Sequence, residues 1–290
     1  MKLLSYSLFQ PKILPNHRVH DRHKNNIDRY WFNIPAVVLA NQLLYPEHEM
    51  RLYITPNVIS HRLFPIIEAL AEQPNFFYKT IDMDYVGTEP AIWRMMPMWQ
   101  RDIEVFHTRD IDSVPTEVEY RYTLAFENSE GAIGSLRTHE NHYGIKCRML
   151  AGLSSFKPQQ VPFCMKFDSF YTYYAMKHNK YGSDQDLMIQ QFTNTPEFTK
   201  THFFDHKAYR QTNAQDFPCT EATNRELSQI EINEKQSEFF TKLKTLGFDN
   251  WAGEPIDARG ELTDFLLSTN ASIRESVSTN PELKSFYENI

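Results

Sequence analysis

The feature that most constrains this chain is an alternation in its N-terminal half. Short apolar, β-branched and aromatic runs take turns with longer segments of helical periodicity. Leu3 to Phe9, Met50 to Thr55, Phe76 to Ile81 and Val105 to Thr108 read as strands. Between them, Ile34 to Leu44, Ser60 to Gln73 and Ala91 to Gln100 read as helices, and Pro115 to Glu127 follows the last strand as another. Strand and helix alternating with short connections imply an α/β fold with a mostly parallel sheet covered by helices. Such sheets bind ligands at the carboxyl ends of their strands. The first strand is not followed by Gly-x-Gly-x-x-Gly, and the chain has only nine glycines, so a dinucleotide-binding domain and a P-loop are not expected.

The strand Val105-Phe106-His107-Thr108 runs into Arg109-Asp110-Ile111-Asp112-Ser113. If the backbone stays extended, Asp110 and Asp112 share one face and Ile111 turns back into the protein. Two carboxylates so placed call for a cation, and a hard divalent ion suits them because it also grips phosphate oxygens. Ser113, Pro115 and Glu117 then supply a cap, a first-turn proline and a first-turn acid for the next helix. Asp82 and Asp84 form a second Asp-x-Asp after the Phe76 strand; it competes as a metal site or serves the nucleoside. His17, His20 and His23 lie among Arg18, Arg22 and Lys24, which reads as a solvated or phosphate-facing loop more than as a metal site.

Further pieces follow in a set order. Trp93-Arg94-Met95-Met96-Pro97 stands before the Asp110 segment. After it come Arg137-Thr138-His139-Glu140-Asn141-His142, Ala151-Gly152-Leu153, Tyr181-Gly182-Ser183-Asp184-Gln185 and His206-Lys207-Ala208-Tyr209. This order resembles a group of GT-A-fold glycosyltransferases over roughly residues 1–220. The resemblance implies a nucleotide diphosphate sugar as donor, UDP- or GDP-linked, and Mn²⁺ or Mg²⁺ as cofactor. It implies metal binding by Asp110, Asp112 and His206. The family's His-Asp order is altered here to Asp205-His206-Lys207. It implies nucleotide, phosphate or sugar contacts from Arg94, Arg109, His139, His142 and Gly152. It gives Asp184 the place of the general base of an inverting transfer. The run Asp184-Gln185-Asp186 also occurs in some retaining enzymes, so the stereochemical course stays open. The acceptor would be a glycan, a lipid or a protein. The alternatives are a carbohydrate- or nucleotide-sugar-binding protein without turnover, and a sugar nucleotidyltransferase.

Composition narrows the partners. A formal net charge of −7 gives no broad basic footprint for nucleic acid. Cys147, Cys164 and Cys219 have no metal-ligand spacing, and so sparse a set suggests a reducing compartment, hence a cytoplasmic protein. No stretch approaches the roughly 18 apolar residues of a membrane span. After about residue 220 the texture turns rich in Glu, Lys, Asn and Ser, with apolar periodicity at Phe239, Leu243, Leu246, Leu262, Phe265 and Leu266. The expected division is therefore a GT-A domain over 1–220 and a helical C-terminal extension over 221–290.

Overall fold

A computed structural model describes residues 1–11, 28–85, 87–138, 149–161, 170–172, 183–192, 201–205, 220–221, 224–250, 252–256, 260–269 and positions 271, 274, 275, 279, 281 and 285. The strands are β1 (Lys2–Leu8), β2 (Glu49–Ile54), β3 (Phe76–Thr80), β4 (Val105–Thr108), β5 (Ile133–Arg137), β6 (Ser154–Phe156), β7 (Thr201–Asp205) and β8 (Thr220–Glu221). They form one sheet in the order β3-β2-β1-β4-β6-β5-β7-β8. Every pairing is parallel except those of β6, which runs antiparallel to both β4 and β5. The order reverses beside β1, where β2 lies on one side and β4 on the other, so β1 and β4 open a crevice at their carboxyl ends.

The helices are α1 (Asp28–Leu44), α2 (Pro56–Ile59), α3 (Phe64–Ala71), α4 (Glu117–Glu127), α5 (Ser183–Phe192), α6 (Asn224–Ser228), α7 (Glu234–Leu246) and α8 (Glu261–Thr269), with a 3₁₀ helix over Glu89–Trp99. No helix among the described residues is long and apolar enough to cross a membrane. Strand alternation places two of the apolar clusters on opposite faces of the sheet. Leu4, Tyr6 and Leu8 of β1 and Leu52 and Ile54 of β2 face a core shared with Trp31, Val37 and Val38 of α1 and Ile67 of α3. Leu3 and Tyr53, one residue out of step, face a second core with Trp93, Met95, Leu187 and Phe192. This is the α/β architecture expected from the alternation, with helices on both faces.

Several local expectations change. The helix expected over Ser60 to Gln73 is shorter: α2 ends before it, at Ile59, the chain turns between Ser60 and Leu63, and α3 starts only at Phe64. Helix α1 begins at Asp28, so Pro35 is inside it and not at its start. Pro35 cannot donate its hydrogen bond, and the fully buried Trp31 and Ile34 hold the preceding turn in place by packing. The helix around Arg94 is 3₁₀, and Pro90 and Pro97 explain why it does not settle into α geometry.

The described C-terminal helices α7 and α8 pack into the main core. Phe239, Phe240, Leu243, Leu262 and Leu266 join the same apolar cluster as Trp31 and Val37. Helix α7 is well delimited: Asn233 and Gln236 form a reciprocal capping box at its start, and Gly247 ends it with a φ of 78°. Beyond α7 the chain returns to the carboxyl end of β4. The Ile256 N–H donates to the Asp112 carbonyl at 2.8 Å, and Asn33 Nδ2 donates to the Ile256 carbonyl at 2.7 Å.

Candidate active site

The site is built at the carboxyl end of β4. Parallel pairing with β1 continues one residue past the strand, where the Arg109 N–H donates to the Ser5 carbonyl at 3.0 Å. The chain then stops being extended. Both the Ser113 N–H (3.4 Å) and the Ser113 hydroxyl (3.2 Å) donate to the Asp110 carbonyl, closing a turn over Asp110–Ser113. The extended-strand reasoning for Asp110 and Asp112 therefore does not hold, because the turn ends the alternation. The Asp110 side chain is 45% exposed, whereas Asp112 is buried. Ile111 does point inward, into the main core. Ser113 serves this turn, and Thr116 caps α4 instead, accepting from the Glu119 N–H at 3.3 Å.

Gly152 reaches Asp110 through the register of β6. Phe106 pairs with Phe156 and His107 with Ser155, and the Thr108 hydroxyl donates to the Ser154 carbonyl at 3.1 Å. Beyond the ladder both chains turn, and these turns bring Gly152 against the Asp110 carboxylate. A Cβ there would lie 2.9 Å from Asp110 Oδ1 and closer still to Cγ and Oδ2. With Asp110 in this position, no side chain fits at residue 152.

Arg94 supplies the cation at this end of the sheet. The Ser5 hydroxyl donates to the Arg94 carbonyl at 2.7 Å, fixing the 3₁₀ helix against β1. The buried guanidinium donates from Nη1 to Asp110 Oδ1 and, at 3.2 Å, to the Arg109 carbonyl. From Nη2 it donates to Asp184 Oδ2. Burial alone would lower the Arg94 pKa, but the charges of Asp110 and Asp184 outweigh it and raise it, so the guanidinium stays charged. Asp184 is buried in the first turn of α5, where a carboxylate also suits the helix dipole. One guanidinium therefore joins a carboxylate after β4 to a carboxylate at the start of α5.

Arg109 does not face this site. Its guanidinium pairs with Glu119 at 2.5 Å and donates to Thr123 Oγ1 and the Thr108 carbonyl, each at 2.8 Å. Desolvation would lower its pKa, but Glu119 and the neighbouring tyrosines raise it. These partners take up the guanidinium inside the protein, and it braces the strand end from behind. Asp82 and Asp84 sit exposed on the loop after β3, two strands away from β1. His139, His142 and His206 lie outside the described residues, as do His17, His20 and His23.

The carboxylates of Asp110 and Asp184 are bridged by a single cation, so one negative charge remains before Asp112 is counted. That excess, with an oxygen-only donor set and an exposed Asp110, fits a hard divalent ion. Among the described residues one three-ligand group of metal-binding type forms elsewhere: His48, just before β2, His107, within β4, and Glu127, at the end of α4. The sequence reading missed it. The only signal was a histidine within the apolar run Val105-Phe106-His107. Burial lowers the His107 pKa from 6.5 to about 4, against the bond to Glu127, so its ring is neutral near pH 7. Burial would raise the Glu127 pKa, but its bonds to His107 and His48 lower it well below the usual carboxylate range.

Comparison with known proteins adds little. No protein-family model matches the chain, and no curated protein matches it. Solved structures align along most of its length at low similarity. LgtC, in the form of an active-site mutant, shares 9% identity at a TM-score of 0.44, covering 97% of this chain and 98% of that one. A protein described as a nucleotide-diphospho-sugar transferase from Desulfovibrio desulfuricans G20 shares 8% at 0.41, covering 95% and 97%. A 4-diphosphocytidyl-2C-methyl-D-erythritol synthase from Anaerococcus prevotii DSM 20548 shares 12% at 0.41, covering 78% and 93%. Likenesses of this order assign neither a residue nor a reaction.

Proposed function

We propose that the chain is a metal-dependent GT-A glycosyltransferase that moves a sugar from a nucleotide diphosphate donor, UDP- or GDP-linked, to a hydroxyl of a glycan, lipid or protein. The observation that carries this reading is the Arg94 guanidinium held between Asp110 and Asp184 at the carboxyl end of β4. Three segments far apart in sequence converge there, each quoted above for the resemblance.

In this reading Asp110 and Asp112 hold Mn²⁺ or Mg²⁺, with His206 as a further ligand. The bound ion would neutralise the leaving diphosphate. The protein's own part is positional. Gly152 lets backbone and the Asp110 carboxylate meet without an intervening side chain. Arg94 fixes Asp110 relative to Asp184, so that the metal end and the acceptor end of the reaction keep one spacing. Arg94 binds Oδ2 of Asp184, and Oδ1 is the oxygen assigned to take the acceptor's proton in an inverting transfer. Asp82, Asp84, His139 and His142 remain proposed contacts to the nucleoside and the sugar. The domain division at residue 220 is likewise part of the proposal.

The test is a donor hydrolysis and transfer screen across UDP- and GDP-sugars with Mn²⁺. Metal-dependent release of the nucleoside diphosphate supports the transferase. Condensation of a nucleoside triphosphate with a sugar phosphate instead would identify a nucleotidyltransferase. Binding of free glycan without turnover of any donor would identify a binding protein.

A further inference from the structure

The buried group at His48, His107 and Glu127 is not used by the proposed reaction. His107 is in β4, His48 immediately precedes β2, and Glu127 is the last residue of α4. Their side chains are 3%, 0% and 5% exposed. Both rings aim the same nitrogen at the same oxygen: His48 Nε2 is 2.6 Å and His107 Nε2 3.2 Å from Glu127 Oε1. All three atoms lie within 4.8 Å of one another.

The surroundings orient these groups. Lys2 Nζ donates to the other carboxylate oxygen, Oε2, at 2.5 Å, leaving Oε1 turned toward the imidazoles. The outer nitrogen of His107, Nδ1, is 2.7 Å from Ser155 Oγ. Ser155 is the residue paired with His107 across the β4–β6 ladder, so the sheet itself sets the ring's direction. A histidine held by an oxygen at its outer nitrogen, beside a carboxylate held at its outer oxygen, is how proteins aim metal ligands.

We propose that His48 Nε2, His107 Nε2 and Glu127 Oε1 form a structural site for a transition-metal ion of the zinc class, distinct from the site at Asp110. Two imidazoles and one carboxylate favour Zn²⁺ over Mg²⁺ or Ca²⁺, which prefer oxygen. Zinc bonds such donors at about 2.0–2.2 Å. The donors here are spaced closely enough for one ion after a small withdrawal of the His48 ring. The ion would tie the entry to β2, the middle of β4 and the end of α4 to one point. Lys2, 31% exposed, marks the way in from solvent. The three ligands are buried, so the ion would hold the fold, with a water completing its coordination.

The test uses the full chain carrying Asp110→Asn and Asp112→Asn, so that the carboxylate site cannot contribute. The protein is stripped with chelator and dialysed against Zn²⁺ alone, Mg²⁺ alone or Co²⁺ alone. The expected result is stoichiometric zinc, a melting temperature raised by zinc but not by magnesium, and visible cobalt bands of a four- or five-coordinate site. His48→Gln keeps an N–H for Glu127 but lacks the imidazole, and zinc affinity should fall roughly ten-fold or more. Absence of stoichiometric zinc, or unchanged affinity in His48→Gln, overturns the proposal. Should His48→Gln fail to fold, the cobalt spectrum of the doubly substituted protein decides: absent bands overturn the site, and imidazole-type bands uphold it.

Discussion

Gly152→Ala separates a site effect from a folding effect. The added Cβ would lie 2.9 Å from Asp110 Oδ1, with Cγ and Oδ2 nearer still, where ordinary contact begins at 3.4 Å. Gly152 itself is not held in a left-handed conformation, so the substitution acts through space alone. The atoms it strikes are the end of a side chain that is 45% exposed, and that end can swing toward solvent. The stability cost should therefore stay below about 1 kcal/mol, under the usual range for overpacking a closed core. The carboxylate, however, leaves its place over the backbone and shifts relative to Arg94. A displacement on the order of 1 Å in a positioned group can cost about 10²-fold. Calorimetry with UDP and GDP in the presence of Mn²⁺ should show nucleotide affinity reduced by about that factor, while the urea midpoint barely moves. Wild-type affinity in the variant would refute the assignment of Asp110 to the metal. A large loss of stability would refute the claim that the carboxylate yields easily.

Asp184→Asn keeps the shape at the start of α5 and should leave Mn²⁺-dependent nucleotide binding in place while turnover falls by about 10² to 10⁴; near-normal transfer would move the base elsewhere, Asp186 first. Leu243→Ala removes a fully buried side chain that helps fasten the C-terminal helices to the main core, and chemical denaturation should show a loss of about 2–5 kcal/mol. In chelator-treated protein, stability should fall as pH drops from about 6.5 toward 4: His107 takes up a proton near 6.5 when unfolded but only near 4 when folded, so the neutral buried ring stabilises fully above 6.5 and the advantage, up to about 3 kcal/mol, is lost through that window. Replacing His107 with Gln should flatten this slope in urea titrations taken across the same pH range.

Most of the fold could be read from the sequence because the central parallel strands β1, β2 and β4 are largely buried and announce themselves as apolar runs. Leu3 to Phe9 and Met50 to Thr55 are such runs, and β1 and β2 match them closely. What misled was local chemistry. Pro35 reads as a helix start, yet tertiary packing of Trp31 and Ile34 carries the helix through it. Asp-x-Asp reads as two carboxylates on one strand face, yet the Ser113 hydrogen bonds close a turn. Arg109 reads as a phosphate ligand, yet Glu119, one turn into α4, draws it inward. The charge of each residue was plain in the sequence; its partner was not, since Arg94 meets Asp184 across 90 positions. The His48–His107–Glu127 group escaped for the same reason, because residues 48 and 127 come together only once β4 is placed beside β1.

The proposed reaction depends on a divalent ion held at Asp110 and Asp112 for a nucleotide diphosphate. The most direct measurement is isothermal titration of the wild-type chain and of Asp112→Asn with UDP and GDP, with Mn²⁺ and with chelator. One of the two nucleotides should bind the wild type only when Mn²⁺ is present, and this binding should disappear in a folded Asp112→Asn. Binding that ignores Mn²⁺, or that survives the substitution unchanged, would contradict that dependence.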